Sequence, residues 1–257
     1  RWAFDLTRWR PDIKDLLIAT SCIQCEEKAR LMKFYFQNDA YASLIGRLLM
    51  RKFLSIETNI PYNNIELERD ERGKPYLKNE IGNRKVGFNV SHQGDFCILA
   101  GFASPDPQNN TRVGVDIMKY SVGSTSHNVF NVMEKNFSMR ERSFVERQRS
   151  IIEKTQAFMR VWCLKESYVK TLGCGITVDL SKIDFNVKSE SNIHGVVADT
   201  ELKVNGLLQK DWKFEEHTLE REHCVAVAFQ NAPEDMKSQQ FFSLSFENLI
   251  ENCIPLN

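Results

Sequence analysis

The polar run Ser104-Pro-Asp-Pro-Gln-Asn-Asn-Thr111 constrains the fold more than any other stretch, because it is rich in Pro and Asn and has no apolar periodicity. It reads as a linker dividing the 257 residues into an N-terminal part, 1–108, and a C-terminal part, 109–257. In both parts helices come before strand pairs. Upstream, Arg1–Thr7 reads as an edge strand, helices start at Asp12 and Glu26, and Asp39 caps a long helix through Leu54. Leu44, Ile45, Leu48 and Leu49 form that helix's apolar stripe, with Arg47 and Arg51 on another side. Val86–Val90 and Phe96–Phe102 form a hairpin around Gly94-Asp95. Downstream, Arg112–Met118 is a strand, Ser138 and Glu141 make a capping box, and a helix runs from Lys154 to Leu172, where Gly173 stops it. Strands follow at Ile176–Val187, Glu201–Leu208 (turning at Asn205-Gly206), Trp212–Glu216 and Cys224–Phe229. The expected fold is α+β, two similar α/β subdomains with one cleft between them.

Lys+Arg and Asp+Glu are both 34, so nothing global draws the chain to nucleic acid or to an acidic membrane. No apolar run approaches the roughly 20 residues of a membrane span. Seven cysteines, an odd number thinly spread, argue for reduced thiols and a cytoplasmic home. Cys22-Ile-Gln-Cys25 is the one close pair. Without a second such pair it reads as two unrelated thiols rather than a zinc or redox site.

Three regions could carry chemistry. The first is Asp116, an acid in the middle of a β-branched strand, where an unpaired buried charge would be costly. Glu166 and Lys170, four apart on the Lys154–Leu172 helix, present their heads on one face. They read either as a surface salt bridge or, with Asp116, as an oxygen-ligand site for Mg²⁺. The second is Asn89-Val-Ser91-His92, a strand end that could hold phosphate through hydroxyl, imidazole and turn amides, or simply satisfy its own turn. Adjacent strand residues face opposite sides, which argues against a Ser-His nucleophile pair. The third is Arg69-Asp-Glu-Arg72-Gly73-Lys74, a charged loop that reads as a solvated turn or, with Arg30, as an anchor for a polyanion.

Five blocks in this order, Gly46–Arg51, Gly73–Pro75, Phe88–His92, Val113–Ile117 and Trp162–Lys170, resemble the Sfp-type 4′-phosphopantetheinyl transferases. The resemblance is nearest to their animal group named for aminoadipate-semialdehyde dehydrogenase. It implies a pseudo-twofold arrangement with coenzyme A in the cleft and Mg²⁺ bound by Asp116 and Glu166. Lys170 would meet the same phosphates, and Asn89, Ser91 and His92 would hold phosphate, with His92 and Arg30 near the 3′-phosphate. Arg69, Arg72, Gly73 and Lys74 would flank adenine and ribose phosphate. Met118 stands where many members carry a second acid, so water or Gln93 would complete the metal shell. The implied reaction moves phosphopantetheine from CoA to a serine of apo acyl carrier domains, such as those of fatty-acid synthase and aminoadipate-type reductases. A monomer suffices, with Glu166 the general base. Two other readings are a CoA- or carrier-binding module without transfer and a metal-independent CoA acyltransferase.

Overall fold

The computed structural model describes residues 1–120, 134–175, 178–189, 195–220 and 222–256. Helix and sheet are mixed throughout, and none of the described helices is long and apolar enough to cross a membrane. The chain forms two compact units, Arg1–Asn109 joined by Phe241–Asn257, and Asn110–Gln240. The tail, placed by sequence in the C-terminal part, therefore belongs with the first unit.

In the first unit, β1 (Trp2–Asp5) leads into α1 (Ile13–Ser21), α2 (Cys25–Leu31) and α3 (Gln37–Thr58). A small ribbon of β2 (Leu67–Arg69) and β3 (Pro75–Leu77) precedes the hairpin β4 (Lys85–Gln93) and β5 (Phe96–Ser104). β1 is not an edge strand: it pairs antiparallel with β5 and parallel with the short tail strand Phe242–Ser243. The expected hairpin turn at Gly94-Asp95 is present, with Gly94 at φ 60°. α3 lays Leu44, Ile45, Leu48 and Leu49 into the core with Phe4, Phe53 and Leu99. Its N-cap is Phe36, and Asp39 sits in the first turn, where a carboxylate meets the helix dipole. Arg51 is only 1% exposed. Its guanidinium donates to the carbonyls of Tyr62 (2.6 Å) and Ile65 (2.9 Å) and to Gln24 Oε1 (3.2 Å), tying α3 to that segment. The tail closes over this core through Phe246, whose ring stacks on Trp9 at 5.1 Å.

In the second unit, β6 (Arg112–Lys119) is followed by α4 (Met139–Glu146) and α5 (Ile151–Leu172). Next come β7 (Ile183–Asn186), β8 (Glu201–Val204), β9 (Leu207–Leu208), β10 (Trp212–Leu219) and β11 (His223–Gln230). The antiparallel sheet runs β10-β11-β6, and β7-β8-β9 forms a separate ribbon. α5 starts one turn before its sequence-read limit: Ser150 and Glu153 make a capping box ahead of it. Gly173 ends it at φ 66° with its N–H on the Val169 carbonyl. The strand expected over 176–187 is shorter, starting at Ile183 after a 3₁₀ turn capped by Asp179; residues 176 and 177 lie outside the described residues. The core gathers Val161, Cys163, Leu164 and Tyr168 of α5 with Phe185, Trp212, Phe214 and Ala226.

Candidate active site

Asp116, Glu166 and Lys170 lie in the second unit. β6 is buried on both faces, and Asp116 on it is 3% exposed. Gly114, two residues earlier, faces α5: a Cβ there would collide with the Ser167 carbonyl and the Thr171 amide. Only glycine lets the helix lie this close to the strand. That approach carries Lys170 to Asp116, Nζ to Oδ1 at 2.6 Å, with the Lys170 side chain 28% exposed. Lys170, expected to meet Glu166, thus makes its short ion pair with the strand carboxylate. Cys163, earlier on α5, donates its thiol to the Asp116 carbonyl at 3.2 Å.

Glu166 lies one turn before Lys170. Burial, then the charge of Asp116, raise its carboxyl above the usual range, against the pull of Lys170. Glu166 therefore feels the charge of Asp116 in a partly desolvated place, an environment that a divalent cation relieves. Their oxygens are the donor type Mg²⁺ takes, with water completing its shell. Among the described residues no group of three or more His, Cys, Asp or Glu is gathered that could hold a metal ion. Met118 packs against the second unit's core instead of offering an oxygen.

Lys165, between Trp162 and Glu166, points inward. It is fully buried, 2.9 Å from Glu141, and donates to the carbonyls of Leu180 (3.0 Å) and Ile183 (2.6 Å). Burial lowers its affinity for a proton, and burial raises that of Glu141. Neighbouring residues of one helix thus differ: Lys165 is fully buried and tied into the fold, and Glu166 is half-buried.

Arg30, Arg69, Arg72 and Lys74 lie in the first unit. Gln24 clamps α2 to β2 through Leu67, accepting from its N–H at 2.9 Å and donating to its carbonyl at 3.2 Å. Arg69 at the end of β2 donates to Glu27 on α2, Nε at 3.1 Å and Nη2 at 2.9 Å, both to Oε1. Arg47 on α3 donates to Glu27 Oε2, and Arg30 approaches it to 4.0 Å. Burial opposes ionisation of Glu27, but Arg47 and Arg69 outweigh it and hold the carboxyl below its usual range. Arg69 Nη1 also donates to the Gly73 carbonyl at 2.6 Å. Arg72, Gly73 and Lys74 occupy a tight turn organised by Asp70, whose Oδ1 accepts from the amides of Arg72 and Lys74. Gly73 has φ 82°, a conformation that favours glycine. Glu27 and Arg47 are absent from the sequence-read site; Arg30 shares a helix with Glu27, whereas the Glu27–Arg47 and Glu27–Arg69 pairs join separate elements, beyond the reach of same-helix spacing.

Ser91 and His92 lie near the end of β4, opposite Ile98 and Cys97, with Ser91 buried and His92 exposed, as alternation requires. Asn89, also on β4, is half-buried. His92 lines an open cavity of about 580 Å³ with Trp9, Arg10, Tyr41 and Gly94. Arg30 and Arg69 line another of about 580 Å³ with Gln24, Glu27 and Lys78. Within this unit the imidazole and the arginines border different cavities. All seven cysteines are reduced, Cys22 buried and Cys25 exposed.

Comparison with known proteins matches residues 7–104 to the family model "4′-phosphopantetheinyl transferase, N-terminal" and 112–228 to the 4′-phosphopantetheinyl transferase superfamily. The two matches meet across the polar run. The L-aminoadipate-semialdehyde dehydrogenase-phosphopantetheinyl transferase of Homo sapiens is 35% identical over all of this chain and 86% of its own length. That of Xenopus laevis is 36% identical, over all of this chain and 87% of its own. A phosphopantetheinyl transferase of a Thraustochytrium species is 30% identical, over 91% of this chain and 79% of its own length. The chain belongs to the 4′-phosphopantetheinyl transferase superfamily, enzymes that transfer the phosphopantetheine arm of CoA to carrier proteins.

Proposed function

We propose that Asp116, Glu166 and Lys170 form the reacting centre of this transferase. The observation that carries this reading is their convergence: a buried strand carboxylate, a helix carboxylate that senses it, and an ammonium 2.6 Å from the first. Asp116 and Glu166 would hold Mg²⁺, which when bound lends positive charge to the phosphate oxygens. Lys170 sits where it can take up charge growing on the departing phosphate. Glu166, with its raised proton affinity, accepts the proton of the carrier serine. The serine Oγ–P bond forms as the pyrophosphate P–O bond breaks, so phosphopantetheine passes to the carrier and adenosine 3′,5′-bisphosphate leaves.

In this reading the two units are the related, pseudo-twofold halves of one monomeric enzyme, and groups from both serve a single CoA. Arg30, Arg69, Arg72, Gly73 and Lys74 receive its adenosine phosphates, and Asn89, Ser91 and His92 hold phosphate. Carrier domains are the partners. The names of the animal relatives suggest an aminoadipate-semialdehyde dehydrogenase as one of them, with fatty-acid synthase a second, in the cytoplasm. Asp116→Asn and Glu166→Gln, assayed by release of adenosine 3′,5′-bisphosphate, should each lower kcat by about 100-fold or more. Full activity in both variants would remove these carboxylates from the chemistry.

A further inference from the structure

Glu27 presents a contradiction within a site meant for an anion. It places a carboxylate, 13% exposed, among Arg30, Arg47 and Arg69, on the wall of the cavity that Arg30 and Arg69 border. A negative charge there should repel phosphate. Both of its oxygens are engaged, however: Oε1 accepts from Nε and Nη2 of Arg69, and Oε2 accepts from Arg47 and from Nη2 of Arg69 at 3.2 Å. Three guanidinium groups and one carboxylate leave this cluster a net charge of +2 (3 − 1), while Glu26, Glu66, Glu68 and Lys78 also line the cavity. Without Glu27 the three guanidinium groups would lose their shared counter-charge, and long arginine side chains would spread into water at an entropic advantage.

The connections extend in both directions. Arg47 is itself largely buried on α3 and gives Glu27 a fixed base. Arg69 carries the order outward, since its Nη1 holds the Gly73 carbonyl of the turn that bears Arg72 and Lys74. Arg30, with a 53% exposed side chain and only a 4.0 Å approach to Glu27, remains the cation turned to solvent.

We propose that Glu27 is the positioning residue of this basic wall: seated on Arg47, it fixes Arg69 and, through it, the 70–74 turn in the arrangement that receives the anionic end of CoA. This rests on the reading above that Arg30 and Arg69 face the phosphates of CoA. Glu27 touches no substrate; its effect is to prepay the ordering that binding would otherwise require.

The test is steady-state kinetics of the whole enzyme with CoA varied at saturating apo carrier protein, comparing Glu27→Gln, Glu27→Asp and Arg30→Ala. Glu27→Gln should raise the KM for CoA by about tenfold with kcat within about twofold, because it loses charge-assisted hydrogen bonds in the binding step only. Glu27→Asp, which keeps the charge, should recover part of that loss. A purely structural role would lower the melting temperature and the active fraction while KM stayed put. An unchanged or lower KM in Glu27→Gln, with KM raised in Arg30→Ala, would overturn the positioning role and leave the CoA site standing. Unchanged KM in Arg30→Ala and in an added Arg69→Ala would overturn the CoA site itself. Should Glu27→Gln not fold, Arg47→Lys, which removes the guanidinium Nε–H that Glu27 rests on, carries the same prediction, and an unchanged KM there overturns it.

Discussion

At the residue scale the site depends on a missing methyl group. Gly114 has no special backbone angle; its value is the space it leaves for the Ser167–Thr171 stretch of α5. Gly114→Ala should therefore push the helix off β6, separate Lys170 from Asp116, and cut activity by about tenfold or more while destabilising the unit by about 1–3 kcal/mol. Parallel measurement of kcat and urea unfolding checks this; wild-type values in both would show that the close approach is not needed. Asp116 is legible in the sequence because an acid in the middle of a hydrophobic strand, on the face opposite Val113, Val115 and Ile117, is costly to bury unpaired. The Lys170–Asp116 pair is not legible, since spacing along one helix points Lys170 at Glu166 and says nothing of a strand 54 residues away. Glu27 and Arg47 are hidden for the same reason, lying 20 residues apart on separate helices.

At the element scale α5 has two functions divided between its faces. The inward Lys165–Glu141 pair anchors α4 and the start of β7, because Glu141 also accepts from the amides of Phe185 and Ser138. Replacing Lys165 by Met strands a buried carboxylate and should cost about 3–5 kcal/mol; adding Glu141→Gln should return a good part of it. Denaturant titration of the single and double variants checks this, and strictly additive losses would mean that the two side chains do not interact. The helices themselves were accessible from caps and periodicity: Ser138 with Glu141, and Gly173, mark real ends. The start of α5 lies before Lys154 although Ser150 and Glu153 carry the same capping signature, and its first turn, Ile151 to Lys154, bears exposed apolar residues that do not continue the buried stripe. β1 is an interior strand for a reason its own residues cannot show, namely that Phe242–Ser243 returns beside it.

At the scale of the whole molecule, the last residues complete the first unit rather than the second. Phe246 and Leu249, 7% and 0% exposed, fill the space beside Trp9 and α3. Phe246→Ala should lower stability by about 3–5 kcal/mol, seen as a fall in melting temperature; no fall would contradict the tail's part in that core. The polar run at 104–111 announces the division of the chain, whereas the return of the tail depends on packing between segments some 240 residues apart and leaves no local signal. The central claim, a CoA-dependent transfer in which Asp116, Glu166 and Lys170 form the reacting centre, is tested most directly by one mass measurement. Apo acyl carrier protein incubated with CoA, Mg²⁺ and this enzyme should gain about 340 Da, and the gain should disappear with EDTA or with Glu166→Gln. No gain despite measurable CoA binding, or an undiminished gain with Glu166→Gln, would contradict it.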